Sequence, residues 1–228
     1  AVSHLGEREC TIQRRNQKLV EIAPSPSLDP TLRARLTAAA VQLAEAVRYE
    51  NVGTFEFLVD ATTSDEEAAF AFIEANPRLQ VEHTVTEEVT GIDIVQTQLH
   101  LAAGRSLAEL GLRQSDIPAP RGFAMQVRVN METLGADGAV RPSGGTLSVF
   151  EVPSGPGLRT DTFGYAGYRT SPSFDSLLAK LIGHTRSANF SDVVARTYRA
   201  LCEFKIEGVT TNISFLQSLL QHPEFIAN

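Results

Sequence analysis

Apolar residues at helical spacing predict the first regular element of the chain. The segment over residues 28–51 is predicted to be helical, since positions four and seven residues apart share a face and its apolar residues have this spacing, namely Leu32, Leu36, Leu43 and Val47. Asp29 can cap the first amide groups, and the proline that follows it suits the first helical turn.

Alternating apolar and polar residues then predict two strands. The segments VGTFEFLVD (52–60) and AFAFIEANP (69–77) are rich in aromatic residues and flank a polar stretch, ATTSDEEA (61–68). Two such strands around a polar loop indicate a hairpin. Helical spacing returns from Thr86 and predicts one helix that ends at Gly104.

The pattern changes near residues 118–122, where two prolines and a glycine predict a domain boundary. Three alternating segments follow, FAMQVRVN, TLSVFEV and GLRTDT, which predict strands. The segments SFDSLLAKLIG, DVVARTYRALCEF and NISFLQSLLQ predict helices. Strands followed by helices indicate an α+β fold. We therefore predict two domains, residues 1–117 and residues 118–228.

Composition and charge narrow the classes of partner. The 228 residues are 43% hydrophobic and carry a net charge of −7, which disfavours nucleic acid and anionic membranes because both need clustered positive charge. The sequence has no run of 18 apolar residues. Its two cysteines lack metal-ligand spacing and fit a reducing, cytoplasmic location. The chain opens on Ala1 with a strand-like segment, and we expect a part of a longer protein.

Every second residue from Glu74 to Glu82 is charged or an amide. If residues 72–83 stay extended, these five side chains share one face. The solvated face of an edge strand explains this pattern, and Pro77 suits an edge. A straight strand would spread the five residues over about 26 Å at roughly 3.3 Å per residue. A shared site therefore requires that the segment curves or that only neighbours cooperate.

Glu56 gives a second reason to consider a site. A symmetric hairpin centred near Asp65 sets Glu56 across from Glu74, and facing carboxylates repel unless a cation lies between them. Two carboxylates and the Asn76 oxygen are the kind of ligands that Mg²⁺ prefers. A structural salt bridge to one of the two acids is an equally good explanation.

Arg78 and Glu82 also allow two interpretations. An arginine fork can bind a small planar oxyanion while a neighbouring carboxylate removes its proton. The alternative is a mutual ion pair with no chemistry.

Strings along the whole chain resemble one family. They are TFEFL, FIEANPRLQVEHTVTEEVTGIDIV, QRRNQKLVEIAPS, RGFAMQVRVN, PSGPGLRTDT, YAGYRTSPSFDSLLAKLI and EGVTTNISFL. In order and spacing they are similar to the biotin carboxylase component of biotin-dependent carboxylases. The resemblance implies the later portion of an ATP-grasp domain, an antiparallel sheet with helices, followed by the small α+β biotin carboxylase C-terminal domain. It implies a ligase that uses ATP and bicarbonate to carboxylate protein-bound biotin through carboxyphosphate.

The resemblance assigns metal and nucleotide roles in the first domain. Glu56 and Glu74, with help from Asn76, would hold the Mg²⁺ or Mn²⁺ ions that bridge the ATP phosphates. Leu58 and Ile73 match apolar contacts to adenine, although core packing explains them equally well.

Further roles follow from the same resemblance. Arg78, Gln80 and the backbone of Val81 would bind bicarbonate, and Glu82 would be the general base that deprotonates it. Arg128 matches the arginine that contacts carboxyphosphate and stabilises the biotin enolate, although a surface arginine on a half-exposed strand is the simpler alternative.

Two residues near the N-terminus complete the expected site. Lys18 matches a lysine near the transferred phosphate, and Gln13 matches a residue near the nucleotide. A basic cluster on a surface turn is the alternative explanation for both.

The resemblance further implies a biotin carboxyl carrier domain, a carboxyltransferase domain or subunit, and a homo-oligomer. It favours an acyl-CoA carboxylase, with pyruvate carboxylase as the alternative. A non-catalytic assembly module and another ATP-grasp ligase with a different acceptor are competing hypotheses. The family's N-terminal domain and glycine-rich lid lie upstream of residue 1, so we expect this chain alone to bind ATP weakly and to be inactive.

Overall fold

A computed structural model describes residues 1–14, 16–60, 69–135 and 138–226. Its strands are β1 Gln13–Arg14, β2 Gln17–Lys18, β3 Val20–Ala23, β4 Thr54–Val59, β5 Phe70–Asn76, β6 Phe123–Asn130, β7 Glu132–Leu134, β8 Val140–Pro142, β9 Val149–Glu151, β10 Leu158–Thr162, β11 Leu177–Thr185 and β12 Lys205–Glu207. Its helices are α1 Pro30–Ala46, α2 His83–Thr90, α3 Ile94–Ala102, α4 Phe190–Glu203, α5 Ile213–Leu220 and α6 Pro223–Ile226. Small antiparallel sheets with separate helices confirm the predicted α+β class. Within the described ranges, no helix is long and apolar enough to cross a membrane.

The chain divides into two compact units. The first contains residues 1–9 and 23–121, and the second contains residues 10–22 and 122–228. The N-terminal segment therefore contributes to both units. The domain division made from the sequence stays a prediction, because a unit of packing need not be a domain.

The first unit is built on α1 and the β4–β5 hairpin. Asp29 caps α1 as predicted, since its carboxylate accepts hydrogen bonds from two backbone amides of the first turn at 2.7 and 3.4 Å. Leu32 and Leu36 are buried against Phe57 and Phe70 of the hairpin. This contact covers part of one face of the hairpin, on which Phe72 stays 48% exposed.

Two helices replace the single helix predicted over residues 86–104, and that prediction is wrong. Gly91 ends α2 with a left-handed backbone, φ 73°, a geometry that glycine adopts without steric cost. Asp93 then starts α3 by accepting a hydrogen bond from the Gln96 amide at 2.8 Å. The sequence did not reveal the break, because a glycine inside a helical pattern is also tolerated within one helix.

The second unit contains a four-stranded sheet in the order β10-β11-β6-β3. Apolar residues at alternate positions of β6, from Met125 to Val129, pack in one core with α4, α5 and α6. Side chains alternate between the two faces of a strand, so Gln126 and Arg128 lie on the face away from these helices.

The helix predicted for SFDSLLAKLIG, residues 173–183, is wrong, because strand β11 occupies most of this segment. The segment Leu177–Thr185 pairs with β10 on one side and with β6 on the other. An inner strand that is buried on both faces has a continuous apolar run, and periodicity cannot distinguish such a run from a buried helix. The strands predicted at FAMQVRVN and GLRTDT and the helices now labelled α4 and α5 are confirmed.

Candidate functional site

The β4–β5 hairpin carries the predicted acidic pair. Its antiparallel register places Thr54 opposite Asn76 and Glu56 opposite Glu74, which confirms the pairing expected from a symmetric hairpin. The connecting stretch, residues 61–68, lies outside the described residues.

A β-bulge determines which face carries Glu74. The register shifts after Glu56, so that Phe57 pairs with Phe72 and Ile73 is the extra residue. Phe72 lies on the aromatic face, with its ring 5.8 Å from that of Phe57. An extra residue reverses the alternation of faces, and Glu74 therefore lies on the Glu56 face. Without the bulge, Glu74 would share the aromatic face with Phe72.

Amide groups link the two carboxylates. Asn76 Nδ2 donates to Glu74 Oε1 at 2.8 Å and to Glu56 Oε1 at 3.2 Å. Gln80 Nε2 donates to the same Glu56 oxygen at 2.8 Å. These donors offset part of the repulsion between the acids, so this face of the hairpin is arranged for a cation or for hydrogen-bond donors.

The residues fit a divalent cation. Glu56 and Glu74 supply the carboxylate oxygens that Mg²⁺ prefers. Asn76 Oδ1 faces Arg78, whose Nη2 donates to it at 3.4 Å, and a half-turn of the amide would present this oxygen to a cation instead. The described part of the chain holds no group of three or more His, Cys, Asp or Glu side chains arranged for a metal. Phosphate and water oxygens would therefore complete the coordination shell.

The polar segment leaves the sheet after Asn76 and bends, as a shared site requires. The extended geometry considered for residues 72–83 therefore ends at this residue. Arg78 Nη1 donates to the adjacent Leu79 carbonyl at 3.2 Å. The Gln80 carbonyl then accepts from the His83 amide at 3.3 Å, which places the two intervening residues at the corner of a tight turn.

Val81 and Glu82 are these corner residues. Glu82 is buried, with 2% of its surface exposed, and it directly precedes α2 without capping it through its side chain. His83 Nδ1 lies 2.8 Å from the Gln80 carbonyl and Nε2 lies 3.8 Å from Glu87, so His83 is held as a structural neighbour.

Arg8 joins the hairpin cluster, and sequence reasoning missed it. Its Nη2 donates to Gln80 Oε1 at 3.1 Å and to Thr54 Oγ1 at 3.0 Å, and its Nη1 donates to Thr86 Oγ1 at 3.1 Å. A guanidinium has donors only. Arg8 therefore turns the Gln80 oxygen towards itself and the Gln80 nitrogen towards Glu56.

No local signal marks Arg8 in the sequence. Its segment, predicted to be strand-like, contains no strand, and its three partners lie 46 to 78 residues away. Only the folded chain brings them together.

The two predicted adenine contacts lie on the hairpin surface. Leu58 is 66% exposed and Ile73 is 49% exposed. Core packing within the first unit does not explain apolar side chains with this exposure, so their contact with a ligand remains the prediction.

In the second unit, Arg128 is held by a buried acid. Its Nε donates to Glu21 Oε1 at 2.6 Å, and its Nη2 lies 2.5 Å from the same oxygen. Gln126 Nε2 donates to Glu21 Oε2 at 2.9 Å. Arg128 is therefore an oriented arginine and not a loose surface residue.

Gln13 and Lys18 are direct partners in the β1–β2 hairpin. Arg14, between them in sequence, forms a bidentate ion pair with Glu132, in which Nη2 donates to Oε2 at 2.9 Å and Nη1 contacts Oε1. This ion pair fixes the hairpin that carries both predicted nucleotide contacts.

Family models match both parts of the chain. Residues 1–110 match the Carbamoyl-phosphate synthase L chain, ATP binding domain, and residues 126–228 match the Biotin carboxylase C-terminal domain. Human mitochondrial pyruvate carboxylase is 48% identical over 227 residues, which are 99% of this chain and 18% of that protein. Pyruvate carboxylase of Aspergillus niger is 47% identical over 226 residues, with the same shares of each chain.

Solved structures show the same relationship. The biotin carboxylase domain of a single-chain bacterial carboxylase superposes with a TM-score of 0.88 at 49% identity, covering 99% of this chain and 50% of that one. A single-chain, multi-domain long-chain acyl-CoA carboxylase gives a TM-score of 0.91 at 46% identity, covering 98% of this chain and 23% of that one.

An ATP-binding domain followed by this C-terminal domain defines the class of biotin-dependent carboxylases. Within that class, the chain belongs to the biotin carboxylase family and covers the C-terminal half of the biotin carboxylase. It spans about 18% of the length of the pyruvate carboxylases that it matches.

Proposed function

We propose that the protein containing this chain uses ATP and bicarbonate to carboxylate biotin carried on a protein lysine. The observation that carries the proposal is the hairpin register, which sets Glu56 and Glu74 face to face. Asn76 and Gln80 donate to these carboxylates, and Arg78 donates to the amide oxygen of Asn76. Two acids beside a guanidinium suit a site in which phosphates, divalent cations and a small oxyanion meet.

The first step is the activation of bicarbonate. Glu56, Glu74 and Asn76 would hold Mg²⁺ or Mn²⁺, which would compensate the charge of the ATP phosphates. Arg78 binds bicarbonate together with Gln80 and the backbone of the residue that follows it, Val81.

Glu82 then takes the proton of bicarbonate. The deprotonated oxygen attacks the terminal phosphorus of ATP, the bond to ADP breaks, and carboxyphosphate forms. Burial of Glu82 keeps bulk water from its carboxylate, which favours proton transfer from the bound anion.

The remaining residues serve the nucleotide and the second step. Lys18 and Gln13 lie together on the β1–β2 hairpin and contact the nucleotide, with Lys18 at the transferred phosphate. Leu58 and Ile73 offer exposed apolar surface to adenine. Arg128 contacts carboxyphosphate and stabilises the biotin enolate that accepts the carboxyl group.

The proposal includes partners and a location. A biotin carboxyl carrier domain would deliver biotin, a carboxyltransferase domain or subunit would use the product, and the assembly would be a homo-oligomer in the cytoplasm. An acyl-CoA is the proposed final acceptor, with pyruvate as the alternative. The similarity to a long-chain acyl-CoA carboxylase, at 46% identity, supports the first acceptor. The similarity to human pyruvate carboxylase, at 48% identity, supports the second.

ATP cleavage by the longer parent carboxylase tests this function. We expect cleavage to require bicarbonate and to rise when free biotin is added. The control is the same reaction in buffer freed of bicarbonate. Cleavage that is indifferent to bicarbonate would favour another ATP-grasp ligase, and a complete absence of cleavage would favour a non-catalytic assembly module.

Arg8→Met in the parent enzyme is expected to raise the KM for bicarbonate. Gln80 would lose the charged donor that orients its amide, and a hydrogen bond to a charged group is worth enough to change affinity roughly ten-fold. Initial rates of ATP cleavage against bicarbonate concentration measure the effect.

Arg105→Met is the matched control. Arg105 is exposed and donates to the Glu109 carbonyl at 3.2 Å, and it has no role in the proposed site. An unchanged KM for bicarbonate in Arg8→Met would remove Arg8 from the site.

A further inference from the structure

A row of charged side chains crosses the sheet of the second unit. Asp161 on β10 pairs with Lys180 on β11, and Lys180 pairs with Arg128 on β6. Glu21 on β3 holds Arg128 at the end of the row. Two cations thus lie side by side in the middle, with one acid on each outer side.

Neighbouring cations in a sheet repel each other, and the outer acids compensate them. Lys180 Nζ lies 3.1 Å from Asp161 Oδ2. The two acids differ in environment, because Asp161 keeps 33% of its side-chain surface exposed whereas the Glu21 side chain has none exposed. Burying a carboxylate costs desolvation free energy. Stabilisation of the fold therefore does not by itself explain a fully buried Glu21.

Glu21 divides its two oxygens between two partners on β6. Oε1 accepts from Arg128 Nε at 2.6 Å and lies 2.5 Å from Nη2, while Oε2 accepts from Gln126 Nε2 at 2.9 Å. Gln126 is also fully buried, so the carboxylate is held in one orientation. Glu21 engages the Nε–Nη2 edge of the guanidinium, and the Nη1–Nη2 edge has the geometry that suits a carboxylate or a phosphate.

We infer that Glu21 is the positioning residue that orients the guanidinium of Arg128 towards carboxyphosphate, which gives its carboxyl group to biotin and releases phosphate. The inference rests on the proposed function, in which Arg128 contacts carboxyphosphate. In this role Glu21 contacts neither carboxyphosphate nor biotin, and it acts through Arg128. A misplacement of a catalytic group by about 1 Å is enough to lower a rate by roughly 10²-fold.

The test uses the full-length parent carboxylase and biotin-stimulated ATP cleavage. Glu21→Gln keeps the shape of the side chain and removes its charge, and we expect kcat to fall by roughly 10²-fold while the KM for ATP stays unchanged. Arg128→Gln should lower kcat similarly. The double variant should be no slower than Arg128→Gln alone, since residues that act as a unit are not additive. A merely structural role for Glu21 would give additive losses.

Two further variants complete the design. Asp161→Asn is the matched control, because it removes the acid at the other end of the same row and should leave kcat unchanged. Glu21→Asp keeps the buried charge, so it preserves the fold if Glu21→Gln does not, and its shorter side chain should still lower kcat.

Wild-type kcat in Glu21→Gln or Glu21→Asp, or a further loss when Glu21→Gln is added to Arg128→Gln, would overturn the inference alone. A wild-type parent without biotin-stimulated cleavage would overturn the proposed function, and the inference with it.

Discussion

Glu82→Gln in the parent carboxylase is expected to abolish bicarbonate-dependent ATP hydrolysis. Glutamine is nearly the same size and cannot take a proton from bicarbonate, and a positioned general base contributes about 10²- to 10⁴-fold. Nucleotide binding should stay nearly intact, because Glu82 lies in the turn after β5 and the predicted nucleotide contacts lie on the hairpins. Initial rates with and without bicarbonate, together with calorimetric titration of Mg-ATP, measure both quantities.

Glu88→Gln provides the control for Glu82. Glu88 lies in α2 and is partly exposed. Glu88→Gln also removes one carboxylate, and it should leave the rate of ATP hydrolysis unchanged. If Glu82→Gln hydrolyses ATP at the wild-type rate in the presence of bicarbonate, Glu82 is not the base.

Glu132→Gln is expected to destabilise the second unit by about 3–5 kcal/mol, because it leaves the mostly buried Arg14 without its counter-charge. Side-chain exposure is 2% for Glu132 and 13% for Arg14. Asn130 and Ser176 also donate to the Glu132 carboxylate, at 3.3 and 3.4 Å. Urea-induced unfolding followed by far-UV circular dichroism measures the change.

The control for this stability prediction is an exposed ion pair of the same unit. Glu151 and Lys205 lie 2.9 Å apart with 61% and 67% of their side chains exposed. Exposed pairs contribute little, so Glu151→Gln should leave the unfolding midpoint unchanged. Equal midpoints for Glu132→Gln and Glu151→Gln would show that the Arg14 pair does not stabilise the fold.

The β4–β5 hairpin shows which features the local sequence pattern can predict and which it cannot. Alternation and a central polar stretch predicted both strands and the Glu56–Glu74 pairing, which the register confirms. The bulge at Ile73 has no signature in the pattern, since it depends on which side chains the aromatic face accepts. Phe72 packs there with Phe57, and Glu74 is thereby turned to the opposite face.

Strand β11 shows the opposite case. The Leu177–Thr185 segment pairs with a strand on each side, and it buries apolar residues on both faces, with Leu181 on one and Ile182 on the other. Periodicity reports the environment of a segment and contains no information about its neighbours in the sheet. The helix predicted there was wrong for that reason.

The sequence by itself determined the α+β class, the family, and the residue types that the site requires, because these depend on local composition and spacing. The tertiary structure decided the contacts between distant segments, such as Arg8 with Gln80 and Glu21 with Arg128. These pairs are separated by 72 and 107 residues. Local pattern cannot specify such pairs, since their energy depends on burial and on donor geometry that exist only after the chain has folded.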